Sequence, residues 1–232
     1  FSLSGGGTLK GRFSSSRAAA LAMPTEGEAA MEWAGVDLAL LRPWLPRAFT
    51  LEGRLAGRVT GNLLPRQKLS LKGDVALSEG KFRWLRPEGE INLNLRSASI
   101  TGDWQGETLR GSVALASAKQ GQAKGSFQLP IPARLPASID RKSSLQASLI
   151  GQVREMGLLG SLFPGFVQES HGELNADFHV SGSWEDPKIE GSMKMDAAGA
   201  YLPTAGIHVK DVQLAIRLGK NFLHIDSFRA VS

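Results

Sequence analysis

The chain has 232 residues, 42% of them hydrophobic and 21% charged, with 27 Gly, 11 Pro and a formal net charge of +5. It contains no Cys, which excludes a disulfide framework and a thiolate metal site, and no apolar run approaches the roughly 20 residues that span a bilayer as a helix. Lys and Arg are spread along the sequence, so the mild positive charge reads as a solvated face, and no nucleic-acid partner is expected.

Residues 1–35 form an irregular, strand-bearing lead-in. Leu9, Gly11 and Phe13 alternate with Lys10 and Arg12, Glu28 to Trp33 is a second strand candidate, and Ala18 to Met23 suits a helical turn as well. Phe1 opens no basic-then-apolar signal peptide, and both ends of the sequence lie in strand-like text. A piece of a longer polypeptide is therefore expected, with any membrane anchor outside it. From Val36 to Pro46 the period changes. Leu40, Leu41, Trp44 and Leu45 fall on one side of a short helix that Asp37 caps and Pro46 ends.

Strands then follow one another, because apolar and polar residues alternate and successive strand side chains point to opposite faces. Leu51 to Gly61 carries Leu55 and Val59. Leu69, Leu71, Val75 and Leu77 alternate with Ser70, Lys72, Asp74 and Ser78, and Ile91, Leu93 and Leu95 with Asn92, Asn94 and Arg96. Val113 and Leu115, then Phe127 and Leu129, continue the pattern to Pro130 and Pro132, which suggest a strand end. After a Pro- and Ser-rich connection come Leu145 and Leu149. Leu158, Leu159, Leu162 and Phe163 repeat the helical spacing before Pro164. Leu174, Phe178 and Val180 oppose Asn175, Asp177, His179 and Ser181. Ile189, Met193 and Met195 follow the Gly- and Pro-bearing turn, and Ile207, Val209, Leu214, Ile216, Leu218, Leu223 and Ile225 complete the apolar set. These runs predict an all-β, antiparallel-rich sheet of a dozen or more strands.

The two helical interruptions expose an internal repeat. Aligning Leu40 to Pro46 with Leu158 to Pro164 brings Gly53 over Gly172, Gly61 over Gly182, Pro65 over Pro187, Gly73 over Gly191 and Gly80 over Gly199. The chain divides accordingly into the lead-in, a first β unit over 36–154 and a second, truncated unit over 155–232, all within one groove. Stacked units of this kind bury an apolar face that one unit leaves open.

Signatures of catalysis are missing. There is no Gly-x-Ser-x-Gly elbow, Walker loop or His-Glu-x-x-His, and Gly5-Gly6-Gly7 precedes no helix pattern. His179, His208 and His224 sit on the polar sides of strands, and with His171 they show no metal-ligand spacing. Trp84, between Arg83 and Arg86, lacks the basic stripe that a nucleic-acid stacking platform needs. Trp33, Trp44, Trp104 and Trp184 read in the same way, as packing at strand ends or along a rim. The chain is therefore read as a protein without enzymatic activity, cofactor or metal.

What remains is the one-sided sheet, with two short helices that serve as a plug on too much apolar face. The economical solution is a sheet curled over a trough. Strands of about seven residues span roughly 23 Å, and a dozen at about 4.8 Å make roughly 60 Å. An exposed apolar surface of that size marks a binding site, here for a lipid tail, with Leu69 to Ile225 of the apolar set as its lining.

Gly182-Ser-Trp-Glu-Asp-Pro187-Lys-Ile-Glu-Gly191 and Leu202-Pro-Thr-Ala-Gly206-Ile-His-Val-Lys-Asp211-Val, with a degenerate copy at Gly61 to Gly73, resemble the C-terminal half of the TamB family of AsmA-like proteins. The resemblance implies a β-taco, an open hydrophobic β-groove, in the periplasm of a Gram-negative bacterium, anchored to the inner membrane in the full-length protein. It also implies bridge-like transfer of phospholipid to the outer membrane and a TamA-like, Omp85-type outer-membrane barrel as partner, met through regions outside this chain. A scaffold or chaperone for unfolded outer-membrane proteins, such as autotransporters, is the alternative it carries. The resemblance brings no catalytic residues.

Overall fold

The computed structural model describes residues 6–15, 26–86, 89–117, 121–134, 136–156, 165–219 and 222–231. The alternating text becomes a single antiparallel sheet of twelve strands placed in chain order. They are β1 (Thr8–Ser14), β2 (Gly27–Asp37), β3 (Phe49–Leu64), β4 (Lys68–Arg86), β5 (Gly89–Gln105) and β6 (Thr108–Ser117), then β7 (Gly121–Leu129), β8 (Gln146–Met156), β9 (Gln168–Gly182), β10 (Pro187–Leu202), β11 (Ile207–Gly219) and β12 (Phe222–Val231). β1 and β12 are its two edges and do not pair with each other, so the sheet is open and not a closed barrel.

The strands are longer than the seven residues expected from sequence: β3, β4 and β5 run for 16, 19 and 17 residues. The expected fourth strand stopped at Ser78. It continues to Arg86 because the register shifts against β3 between Glu52 and Arg54, opposite Glu79 and Gly80. A bulge absorbs the irregular residue and lets the ladder resume. The lead-in contains two regular strands, β1 and β2, paired from Thr8 with Ala34 to Ser14 with Glu28.

Two bulges are built alike. Gly53 has φ +135° and Gly172 +139°, and across from them Glu79 and Ala197 have φ +54° and +48°. Each pair stands at a register shift, one between β3 and β4 and the other between β9 and β10. Bulges bend and further twist the strands that carry them.

Leu38–Trp44 is a 3-10 turn and not an α-helix, with Pro43 inside it. Proline lacks the N–H that a continuing helix would need. Asp37 caps it as expected, its Oδ1 accepting from the Ala39 N–H at 2.8 Å. Leu158, Leu159, Leu162 and Phe163, and the segment from Ala18 to Met23, lie outside the described residues.

A conventional core is not what holds this fold together. Apart from neighbouring strands, the chief packing among the described elements is that of the 3-10 turn on β3. The buried apolar residues among those described are Leu38, Ala133 and Leu145, outside the strands, and Ala198 at the β9–β10 bulge, and no large described side chain is completely enclosed. The backbone ladder and in-plane packing between strands supply the cohesion, since each paired residue places its side chain about 5 Å from its cross-strand partner.

Candidate functional site

Register aligns the apolar residues into rows that cross the strands. One row runs through all twelve: Leu9, Trp33, Gly57, Val75, Ile100 and Val113, then Gly125, Leu149, Phe178, Gly191, Leu218 and Leu223. The next row toward one strand end contains Leu55, Leu77, Ala98, Leu115 and Ala123, then Gly151, Ala176, Met193, Ile216 and Ile225. On the other side lie Met31, Val59, Gly73, Gly102, Gly111 and Phe127, then Ala147, Val180 and Ile189. Directly paired residues share a face, so these rows are one continuous apolar surface.

Glycines in those rows let large neighbours lie flat. A Cβ at Gly57 would stand 2.7 Å from the Trp33 ring, at Gly73 2.8 Å from a Val59 methyl and at Gly191 2.8 Å from the Phe178 ring. Leu71 covers Gly61, and Phe127 covers Gly111, in the same manner. Each large side chain folds sideways over the glycine beside it, which lowers the relief of the face. Among the described residues no second layer covers it: Ile100, Leu115, Leu149, Ile189 and Ile225 all remain exposed.

The two strand-end rims differ. One carries the β7–β8 connection, residues 130–145, which works as a strap. The Trp104 indole, from the apolar face, donates to the Ile131 carbonyl at 2.8 Å. The Ala133 N–H donates to the Gly106 carbonyl at 2.7 Å, and the Ala133 carbonyl accepts from the Leu69 N–H at 2.8 Å. Farther along, the Glu185 N–H donates to the Arg141 carbonyl at 3.1 Å and the Leu145 N–H to the Gly182 carbonyl at 2.8 Å. The strap thus ties β4 and β5 to the β9–β10 turn. Asp140 tightens it by accepting from the Lys142 N–H at 3.1 Å and the Ser143 hydroxyl at 2.9 Å. Those hydrogen bonds, the Lys142 N–H first, hold its carboxyl below the ordinary value. The other rim carries the 3-10 turn, with Phe49 stacked on Trp84 at 5.2 Å and tilted against Phe82 at 5.9 Å.

The polar face holds exposed ion pairs: Lys81 with Glu52 at 3.8 Å, and Arg154 with Glu173 at 3.6 Å. At the β12 edge Arg217 Nε donates to both Asp226 oxygens, at 2.9 and 2.8 Å. That hydrogen bonding holds the Asp226 carboxyl below its ordinary value. His179 approaches Asp177 at 3.4 Å, and His208 stacks on Tyr201 at 4.6 Å.

The expected lining residues fall mostly on the rows. Leu71 and Leu129 share a row through Trp104 and Leu109. Leu95, Leu174, Met195 and Leu214 share another, through Ser117, Gly121 and Val153. Leu69 pairs with Leu63 at the strapped rim. Leu93 pairs with Phe82 and Ile91 with Trp84 at the other. Val209 and Ile207 pair with Ala200 and Leu202 beyond the β10 bulge. Leu145 stands apart, buried at the foot of the strap. Of the expected plug, Leu40 and Leu45 are half-buried at the 3-10 turn, which also places Leu41 and Trp44. Sequence reading put Trp33 and Trp104 at strand ends or a rim and left out Ile100 and Leu109, although each obeys the same alternation. Ser97 to Gln105 was hidden by its small polar residues.

Comparison with known proteins gives one match. The family model described as TamB, N-terminal domain, matches residues 18–195. The sequence text had suggested the C-terminal half of that family, and the match lies with the N-terminal domain instead. No curated protein and no solved structure matches the chain.

Proposed function

The chain belongs to the TamB family, the family of the translocation and assembly module of the cell envelope, and on that premise we propose that its apolar face carries phospholipid tails across the strands. No described helix is long and apolar enough to cross a membrane, which suits a periplasmic stretch of a protein that reaches toward the outer membrane and its barrel partner. The observation that carries the reading is the apolar row touching every strand from Leu9 to Leu223, with no layer over it among the described residues.

Burial of a tail methylene contributes about 0.8 kcal/mol. A long tail is therefore held by many small contacts and by no single residue, and this permits sliding. The glycines under Trp33, Val59 and Phe178 smooth that path. Headgroups stay in water beside the rims. Transfer is passive in this reading.

Photo-crosslinkers at Leu77 and Phe178 in cells test it. Phospholipid adducts at both positions are the expected result, and protein adducts alone would overturn the proposal. Leu77→Asp should stop passage, because a carboxylate in the path must either be desolvated, at a cost of several kcal/mol, or hold water there.

A further inference from the structure

The opposite, polar face carries a groove that the lipid reading does not use. Three clefts of about 340, 540 and 590 Å³ follow one another along β7, β8 and β9. The first two share Gln122 and Gln152, and the second and third meet where Asp177 and His179 approach. The groove therefore runs parallel to the strands, from Arg96 and Ser117 near one rim to Gln128 and Gln146 near the other. β7 spans it from Gln122 to Gln128, roughly 20 Å at 3.4 Å per residue.

Its lining is amide- and hydroxyl-rich and arranged in steps. Gln122, Gln152 and Asn175 are paired across three strands, as are Gln128 with Gln146 and Ser126 with Ser148. The two serine hydroxyls bond each other at 2.8 Å. Along each strand, polar groups on one face recur every second residue, about 6.8 Å apart. An extended polypeptide offers its own N–H and C=O groups with the same period, so it can lie along β7 to β9 and meet a partner at each step. The aromatic rings lining the clefts are the His179 imidazole and Phe127, and Phe127 belongs to the apolar row, so no Trp, Tyr or Phe of the polar face is there to stack a sugar.

Charge selects the kind of peptide. Arg96, Arg110, Lys124, Arg154 and Lys194 line the groove against Asp177. Only Arg154 among these cations forms an ion pair within the described residues, with Glu173. Asp177, whose Oδ1 lies 3.4 Å from His179, is the acid among these lining residues.

From this geometry we propose that the polar groove binds an extended, acidic polypeptide segment, on the face opposite the apolar rows. The site is independent of the lipid reading. Fluorescence anisotropy with labelled (Glu-Thr)4 and (Lys-Thr)4 peptides, titrated with the full chain, tests it. The acidic peptide binds and the basic one does not; K124E/K194E weakens binding at least tenfold, and Q122A/Q152A weakens it several-fold. L77D, on the other face, leaves peptide affinity unchanged. Equal affinity for both peptides, or K124E/K194E binding like the parent chain, overturns the proposal. Affinity indifferent to Q122A/Q152A, or tighter binding and competition by an acidic polysaccharide such as alginate, would also overturn it, because the groove would then be a simple anion surface or a glycan site. Failure of the lipid reading would appear instead in the crosslinking at Leu77, leaving these titrations unaffected.

Discussion

β4 and β5 pair without a break from Ser70 with Gln105 to Ser78 with Ser97, with strands on both sides of them. β11 and β12 carry the same alternation of apolar and polar residues, yet every residue of β12 is exposed, including Phe222, Leu223, Ile225 and Phe228. In β4, by contrast, Leu71, Val75 and Leu77 are half-buried while Lys72, Asp74 and Ser78 between and beside them are exposed. The difference lies in neighbours, not in composition. In a sheet that no described layer covers, side chains are shielded by the strands to left and right. Alternation therefore reports the chemistry of a face, and flanking strands decide how much of it leaves water.

The largest contrast should come from glycine. A Cβ at Gly111, inside the sheet, would collide with the Thr101 carbonyl and the Phe127 ring, and the carbonyl cannot move without the ladder. At Gly219 the obstacle is the Phe222 ring alone, which is free to swing because it is 62% exposed. Gly111→Ala should cost about 2 kcal/mol, within the range for overpacking. Gly219→Ala should stay within about 0.5 kcal/mol. Urea unfolding of the two variants checks this, and equal midpoints would show that the fixed carbonyl beside Gly111 does not set the penalty. Gly102→Ala sharpens the point, since Gly102 sits beside Gly111 in the same row with nothing within 4 Å of its added Cβ. It should behave like the edge substitution.

Next in size is the strap. Trp104→Phe keeps an aromatic ring but loses the indole bond to Ile131, worth about 1 kcal/mol. Proteolysis within residues 130–145 should accelerate, while β11 and β12 keep their amide protection. Val75→Ala should also cost about 1 kcal/mol, as part of a half-buried side chain is lost. Leu223→Ala should be smaller still, a comparison that thermal melts can make directly.

The smallest effect concerns acid. The Asp226 carboxyl is held below its ordinary value, chiefly by the Arg217 hydrogen bonds. Its stabilising contribution is therefore fully present above the ordinary carboxylate value, near 3.9, and is lost as pH falls through the depressed one. Amide exchange in β12 should become faster in that acid window, and Arg217→Ala should abolish the pH dependence. β4 and β5 should exchange alike on both sides of the window.

Much of this arrangement was legible in sequence. Leu69 to Leu77 and Leu174 to Val180 show their faces by alternation alone, because a period of two has one physical cause. Strand length was not legible. Glu79 and Ala197 adopt positive φ only because partner strands hold them there, so text that looks like a strand end lies in mid-strand. The strap could be read as a Pro- and Ser-rich connection. That it reaches Leu69 and Glu185 depends on residues more than 40 positions apart, which no local pattern encodes. The polar groove was hidden for a similar reason: Gln122, Gln152 and Asn175 are unremarkable singly and become a step only once three strands lie side by side.

Strictly sequential pairing has a consequence for how such a molecule is made. A newly formed hairpin needs only the hairpin before it as a template, so the chain can assemble in the order of its sequence. Each ladder closes onto the strand just laid down and waits for no distant segment, which limits the entropy spent on each addition. Further hairpins would each lengthen the protein by about two strand spacings, roughly 10 Å, without rearranging those already in place, making its reach a matter of how many are encoded.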